Sequence, residues 1–226
     1  MRRDLHRSFV TLGLAFVLAA GCKSSGPDRL DNVVRGLKNT RDGLLQGQKQ
    51  IDTMSAALGQ LVTTQPANLR PAFDKFTSEL SNTQSMAADI RSRADAMKAR
   101  GAEHLAAWEA EMATISNPQI RALSEERRRA VREKIDSLAG NMRGARESFQ
   151  PFMKDLEDIQ KMLSNDLTGT GVATIKPIAD GAIVHKDKVQ QHLSAVTKEL
   201  DEIATALSAG SAAPAPASAP APAPAQ

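Results

Sequence analysis

Apolar side chains recur at alternating intervals of three and four along most of the chain, the spacing of helices that pack along a narrow seam. The first run is Leu30, Val33, Leu37, Thr40, Leu44, Gly47, Ile51, Met54, Leu58 and Leu61, broken in apolar character only at Thr40 and Gly47. Thr63 to Pro71 reads as a connection, with Pro71 suited to the first position of the next helix. The second run is Phe73, Phe76, Leu80, Thr83, Ala87, Ile90, Ala94, Met97, Gly101, Leu105, Trp108, Met112 and Ile115. Its two consecutive steps of four, Met97 to Gly101 to Leu105, form a stutter at which a supercoil unwinds locally. Asn117-Pro118 then supplies a tight turn.

The third run is the most regular: Val131, Ile135, Leu138, Met142, Ala145, Phe149, Phe152, Leu156, Ile159 and Leu163. Pro151 lies within it and removes a backbone donor, but the heptad phase continues across it, so a bend is expected there and not an end. Asn165 to Gly171 is the next connection. The fourth run follows Val172, Ile175, Ala179, Ala182, Lys186, Val189, Leu193, Val196, Leu200, Ile203 and Leu207, with Pro177 marking its first turn or a kink near its start. Gly210 is the stop. The predicted fold is all-α: an elongated up-down bundle, or coiled coil, of four long helices over residues 30–210. The second and third helices reach roughly 70 Å and the first and fourth about 50 to 55 Å. The hairpin from Pro71 to Leu167 must then overhang its partners, its seam covered by a homodimer or made polar. The polar stretch from Arg121 to Arg132, with Arg127, Arg128 and Arg129, favours the second solution.

The two ends of the chain follow other rules. Met1 to Arg7 is a charged opening, and Phe9 to Ala20 an apolar stretch of about a dozen residues, too short for a stable span. Leu18-Ala19-Ala20-Gly21-Cys22 closes it in the manner of a lipoprotein cleavage-and-acylation box. Residues 1–21 are therefore read as a signal peptide, Cys22 as the lipidation site, and residues 22–29 as an acylated start with a short linker. Cys22 is the only cysteine, and lipidation accounts for an otherwise free thiol in an exported protein. Lys23 after it favours export to the outer membrane. Residues 211–226 are rich in alanine and proline, carry no charge and cannot build a core, so a disordered tail is expected.

Charge adds less than it first promises. The net charge of +3 includes three Arg and one Asp of the signal, and without them 26 basic residues face 25 acidic ones. With no Tyr, one Trp and six Phe, the chain suits neither base stacking nor a nucleic-acid partner. A local excess remains from Gln119 to Lys134, where Arg121, Arg127, Arg128, Arg129, Arg132 and Lys134 stand against Glu125, Glu126 and Glu133, with the five arginines at its centre. That cluster is the candidate interaction surface. It lies on a turn which, by counting helix directions, returns to the end of the bundle nearest Cys22. A solvated face with an i,i+4 pair of Glu125 and Arg129 is the plain reading, and contact with anionic head groups the sharper one.

Catalytic and metal-binding patterns are not found. Di-iron bundles place Glu three residues before His, whereas Gly101, Ala182 and Val189 stand three before His104, His185 and His192. His185 and His192, seven apart, lie about 10 Å along a helix, awkward for one metal. Thr168-Gly169-Thr170-Gly171 lacks the Lys-Ser/Thr of a phosphate loop and reads as a turn. Asp155, Glu157 and Asp158 sit beside lysines as solvated neighbours, and Trp108 occupies a seam position suited to packing. No catalytic residue, metal or cofactor is assigned, and an enzyme is not expected.

Several segments together resemble a family of bacterial envelope proteins catalogued as a domain of unknown function. They are Ala107-Trp108-Glu109-Ala110-Glu111, Ile115-Ser116-Asn117-Pro118, Arg121, Ser124-Glu125, Arg127-Arg128 and Phe149-Gln150-Pro151-Phe152. The resemblance covers Leu30 to Leu207, is most specific from Trp108 to Arg128, and implies a helical coiled coil without an activity. Two functional readings follow. One is a lipid-anchored periplasmic scaffold or adaptor meeting a protein partner through helix faces or the hairpin tip. The other is a bundle that holds a ligand or ion near the stutter at Gly101 or the kink at Pro151.

Overall fold

The computed structural model describes residues 25–209, which form four long antiparallel helices and one short turn of 3₁₀ helix. Helix α1 spans Gly26–Thr63, α2 Leu69–Met112, α3 Pro118–Asn165 and α4 Gly169–Ala209, with the 3₁₀ turn at Pro66–Asn68. Cys22, the expected signal peptide of residues 1–21, the expected stop at Gly210 and the Ala/Pro-rich residues 211–226 lie outside the described residues.

The helix ends depart from the apolar runs because capping, not seam residues, sets them. Helix α1 starts four residues before Leu30. There the Ser25 hydroxyl accepts from the Asp28 amide while Asp28 accepts from the Ser25 amide, a reciprocal capping box. Helix α2 starts at Leu69, stacked on the 3₁₀ turn, so Pro71 is its third residue and not its first. It ends at Met112, short of Ile115. The Asn117 side chain caps α3 by accepting from the amides of Gln119 and Ile120. Thr168 does the same for α4 through the Gly171 amide. Gly171 has no room for a side chain, since a Cβ there would stand 2.2 Å from the Asp166 carbonyl oxygen. The fourth helix therefore begins inside the expected connection, and Pro177 falls two turns within it. Pro151 lies within α3, which continues through it.

Cross-helix pairs fix the register. Thr40 lies beside Arg93, Arg41 pairs with Asp201, and Asn141 donates to Glu199 at 2.6 Å. Arg29 of α1 pairs with Glu111 of α2, so the start of α1 and the α2–α3 turn share one end of the bundle. At 1.5 Å per residue α1 and α4, 38 and 41 residues long, run about 57 and 62 Å, and α2 and α3 about 66 and 72 Å. The overhang is thus shorter than the apolar runs suggested, and it is confined to the end with the α2–α3 turn.

At the opposite end the core is closed. Met54, Leu58 and Leu61 of α1, Phe76 and Leu80 of α2, Phe152, Leu156, Ile159 and Leu163 of α3, and Ile175, Ala179 and Ala182 of α4 are all essentially solvent-free. Two hydroxyls sit in the seam at no cost in unmade hydrogen bonds. Thr40 donates to the Gly36 carbonyl and Thr83 to the Glu79 carbonyl, each one turn back in its own helix.

Candidate functional site: a slot between two helices

Helix α1 packs along α2 and α4, and α4 along α3, but α2 and α3 approach each other only sparingly. The cause lies in the seam. Gly36, Thr40, Gly43 and Gly47 let α1 draw close to α2: a Cβ on Gly47 would stand 2.7 Å from Ile90 Cδ1, and one on Gly43 3.1 Å from Arg93 Cδ. On α2, the side chains left to bridge the remaining distance to α3 include Ala87, Ala94 and Gly101, which are too short. The result is an apolar slot of about 520 Å³, walled by Leu37 and Leu44 of α1, Ile90 and Met97 of α2, Leu138 and Phe149 of α3, and Val189 and Val196 of α4. Its volume falls in the range of small-molecule sites. Phe149, expected in the core, is half-buried at the slot wall, as are Ile135 and Met142.

The lips are charged. Arg91, Asp95 and Lys98 line the α2 side, and Asp136, Arg143 and Arg146 the α3 side. The four cations make no ion pair among the described residues. His104 closes one end of the slot, and its other side faces a polar hollow of about 280 Å³ lined by Arg29, Asn32, Arg35, Asn39, Arg100 and Glu103. The buried His104 Nδ1 has no hydrogen-bond partner. Desolvation first, and the Arg29 charge second, hold its imidazole below the usual histidine range, with Glu111 opposing them.

Beyond His104 the hairpin is clamped by polar contacts. Trp108 is half-buried, stacks obliquely on His104 at 5.7 Å between ring centres, donates from Nε1 to Ser124 Oγ at 2.8 Å, and carries the Arg127 guanidinium 6.0 Å over its ring. Arg128 bridges Glu109 of α2 and Glu125 of α3, both at 2.8 Å. That bond to Arg128 is the main cause holding the Glu125 carboxyl below its ordinary range, with the charges of Arg129 and Arg132 adding to it. Glu125 is therefore paired with Arg128 at i,i+3 and not with Arg129 at i,i+4. Of the candidate arginines, Arg127 and Arg128 are engaged in the clamp, while Arg121, Arg129 and Arg132 are exposed. Ile120 and Leu123, 50% and 69% exposed, stand among them.

The other singled-out residues are scattered. His185 Nδ1 lies 2.7 Å from Asp155 across α3 and α4, a partner that spacing did not reveal, while His192 is exposed beside Gly144. Lys154 pairs with Asp158, and Glu157 accepts from Gln84. Among the described residues no group of three or more His, Cys, Asp or Glu side chains could hold a metal ion, and no helix is long and apolar enough to cross a membrane. The slot takes in Gly101 at the stutter but not Pro151.

These features define an antiparallel four-helix bundle, closed at one end and opened along one side toward the other. The chain belongs to the family described as a protein of unknown function, DUF2959, whose model matches residues 20–208. No curated protein and no solved structure matches it. Trp108, Glu109, Ser124, Glu125, Arg127 and Arg128, which lie within the segments that carry the resemblance, interlock in the hairpin clamp.

Proposed function

We propose that the protein is a lipid-anchored scaffold or adaptor of the bacterial envelope, held through Cys22 and facing the periplasm, with its α2–α3 tip resting on the membrane surface. The observation that carries this reading is the shared end: α1 begins at Gly26, and Arg29 ties it to Glu111 beside the tip. Cys22 stands three residues before the Ser25 cap, a reach of about 10 Å. An acylated Cys22 would therefore bring the exposed Arg121, Arg129 and Arg132 to the level of the head groups, with Ile120 and Leu123 among them. The closed end, some 60 Å away, would be the part held out for a protein partner.

Cell fractionation tests the anchor: Cys22→Ser should leave the outer-membrane fraction, and unchanged fractionation would refute it. Vesicle binding by the unlipidated chain tests the tip. Binding to anionic vesicles should weaken with salt and disappear when Arg121, Arg129 and Arg132 become Gln; no binding at low salt would end that part of the proposal.

A second reading, a bundle that holds a ligand beside Gly101, is favoured by the slot itself. A filled core would have left no such opening between α2 and α3.

A further inference from the structure

We propose that the slot between α2 and α3 binds one extended hydrocarbon chain carrying an anionic head group, that is, an ionised long-chain fatty acid or an equivalent single-chain amphiphile. The inference rests on the ligand-holding reading and names the ligand's chemical class.

Shape selects the chain. The lining runs from Val33 to Ile51 on α1, Thr83 to His104 on α2, Val131 to Phe149 on α3 and Val189 to Leu207 on α4, a length of about 27 to 32 Å. An extended alkyl chain can run the whole of that length against apolar side chains from all four helices. At about 1.3 Å of advance per carbon, the slot takes on the order of 20 carbons.

Charge selects the head group. Four cations, Arg91, Lys98, Arg143 and Arg146, stand on the lips against two carboxylates, Asp95 and Asp136. None of the four cations is neutralised by an ion pair among the described residues. A neutral chain would leave them as they are, whereas a carboxylate head at the mouth would be drawn to the local excess.

The test uses the chain from residue 22 onward with Cys22→Ser, which retains every described helix, stripped of bound lipid. The probe is cis-parinaric acid, an 18-carbon fluorescent fatty acid, followed by energy transfer from Trp108, the only tryptophan. Palmitate and hexadecanol serve as competitors, and circular dichroism confirms helicity of each variant. The expected results are saturable binding, displacement by palmitate at concentrations at least tenfold below those of hexadecanol, and loss of binding in Ala94→Phe and in Ala87→Phe, two independent fillings of the slot. Replacing Arg91, Arg143 and Arg146 with Gln should weaken palmitate at least tenfold and leave hexadecanol unchanged. Equal competition by the two, insensitive to the Gln variant, would overturn the anionic assignment while leaving the ligand-holding reading intact. No binding by the unsubstituted chain, or binding that survives both fillings, would overturn the site itself. Preferential displacement by phosphatidylglycerol vesicles would overturn the single-chain assignment. A dimer in sedimentation that Ala94→Phe dissolves would overturn the proposal by putting a second copy in the slot.

Discussion

From Phe152 to Leu163 every seam residue of α3 is buried, whereas from Val131 to Phe149 only Leu138 and Ala145 are, and Val131, Ile135, Met142 and Phe149 stay half-exposed on the same helix in the same heptad phase. What differs is the volume opposite. The closed end faces Phe73, Phe76 and Leu80 of α2, and the slotted end faces Ala87, Ala94 and Gly101. Heptad spacing decides which face a helix turns inward, and side-chain volume decides whether the inward faces meet. A bundle can thus keep a continuous pattern and still leave one interface open, because α1 and α4 hold both flanking helices in place.

The largest effects should come from truncation at the closed end. Phe152→Ala, Leu156→Ala or Ile159→Ala should each cost roughly 2 to 5 kcal/mol in urea unfolding. Phe149→Ala, at the slot wall, should cost less than any of these, since its ring is already part-hydrated. Glu147→Ala, on the outer face, should stay within about half a kcal/mol. Equal losses at Phe149 and Phe152 would erase the distinction between the two ends.

Opposite signs are expected from added volume. Ala179→Leu or Ala182→Leu, both solvent-free at the closed end, should destabilise by about 1 to 3 kcal/mol through overpacking. Ala94→Leu in the slot should be neutral or stabilise by up to about 1 kcal/mol, because the new methyls gain contacts without displacing packed neighbours. Melting temperatures of the three variants check this directly, and a loss at Ala94 matching that at Ala179 would mean that the slot closes in solution.

Much of this was legible in the sequence. The four helices, their order and their inward faces follow from apolar spacing, because burial is what that spacing records. Helix ends were less legible, because Ser25 with Asp28, Asn117 and Thr168 are polar signals that a search for apolar seams passes over. The slot is spelled in Thr40, Gly43, Gly47, Ala87, Ala94 and Gly101, but an alternation of apolar with polar does not register size: Thr40 and Gly47 stand out only as breaks in the first run, and Gly101 only through its stutter. The Trp108–Ser124 bond and the His185–Asp155 pair join residues 16 and 30 apart across two helices, and no periodicity within one helix predicts them.

The clamp gives a smaller effect than either end. Trp108→Phe keeps an aromatic ring against His104 and Arg127 but deletes the donor to Ser124 Oγ, and should cost about 0.5 to 1.5 kcal/mol. Ser124→Ala should cost a similar amount in the Trp108 background and nothing in the Phe background, a double-mutant cycle that isolates the bond. If the two losses simply add, the hydrogen bond contributes nothing to holding the hairpin together.

The smallest effect is a slope with pH, and it comes from the group that divides the slot from the polar hollow. His104 lies against Arg29 from α1 and Trp108 and Glu111 from α2; its buried Nδ1 is unpartnered, and burial and Arg29 hold its folded pKa below 6.5. In the unfolded chain the ring titrates near its ordinary value of about 6.5. Above that pH both states carry a neutral ring and His104 adds no pH dependence. As pH falls below it the unfolded state takes up a proton that the folded state resists, so stability declines; the decline levels off once the pH is below the depressed folded pKa. His104→Gln should remove that part of the slope, so the drop in urea midpoint between pH 7.5 and pH 5 should be smaller in the variant than in the unsubstituted chain. Glu111→Gln should steepen it, because Glu111 is the charge that favours the protonated ring. An identical drop in all three proteins would mean that His104 is hydrated, and that water reaches the end of the slot it closes.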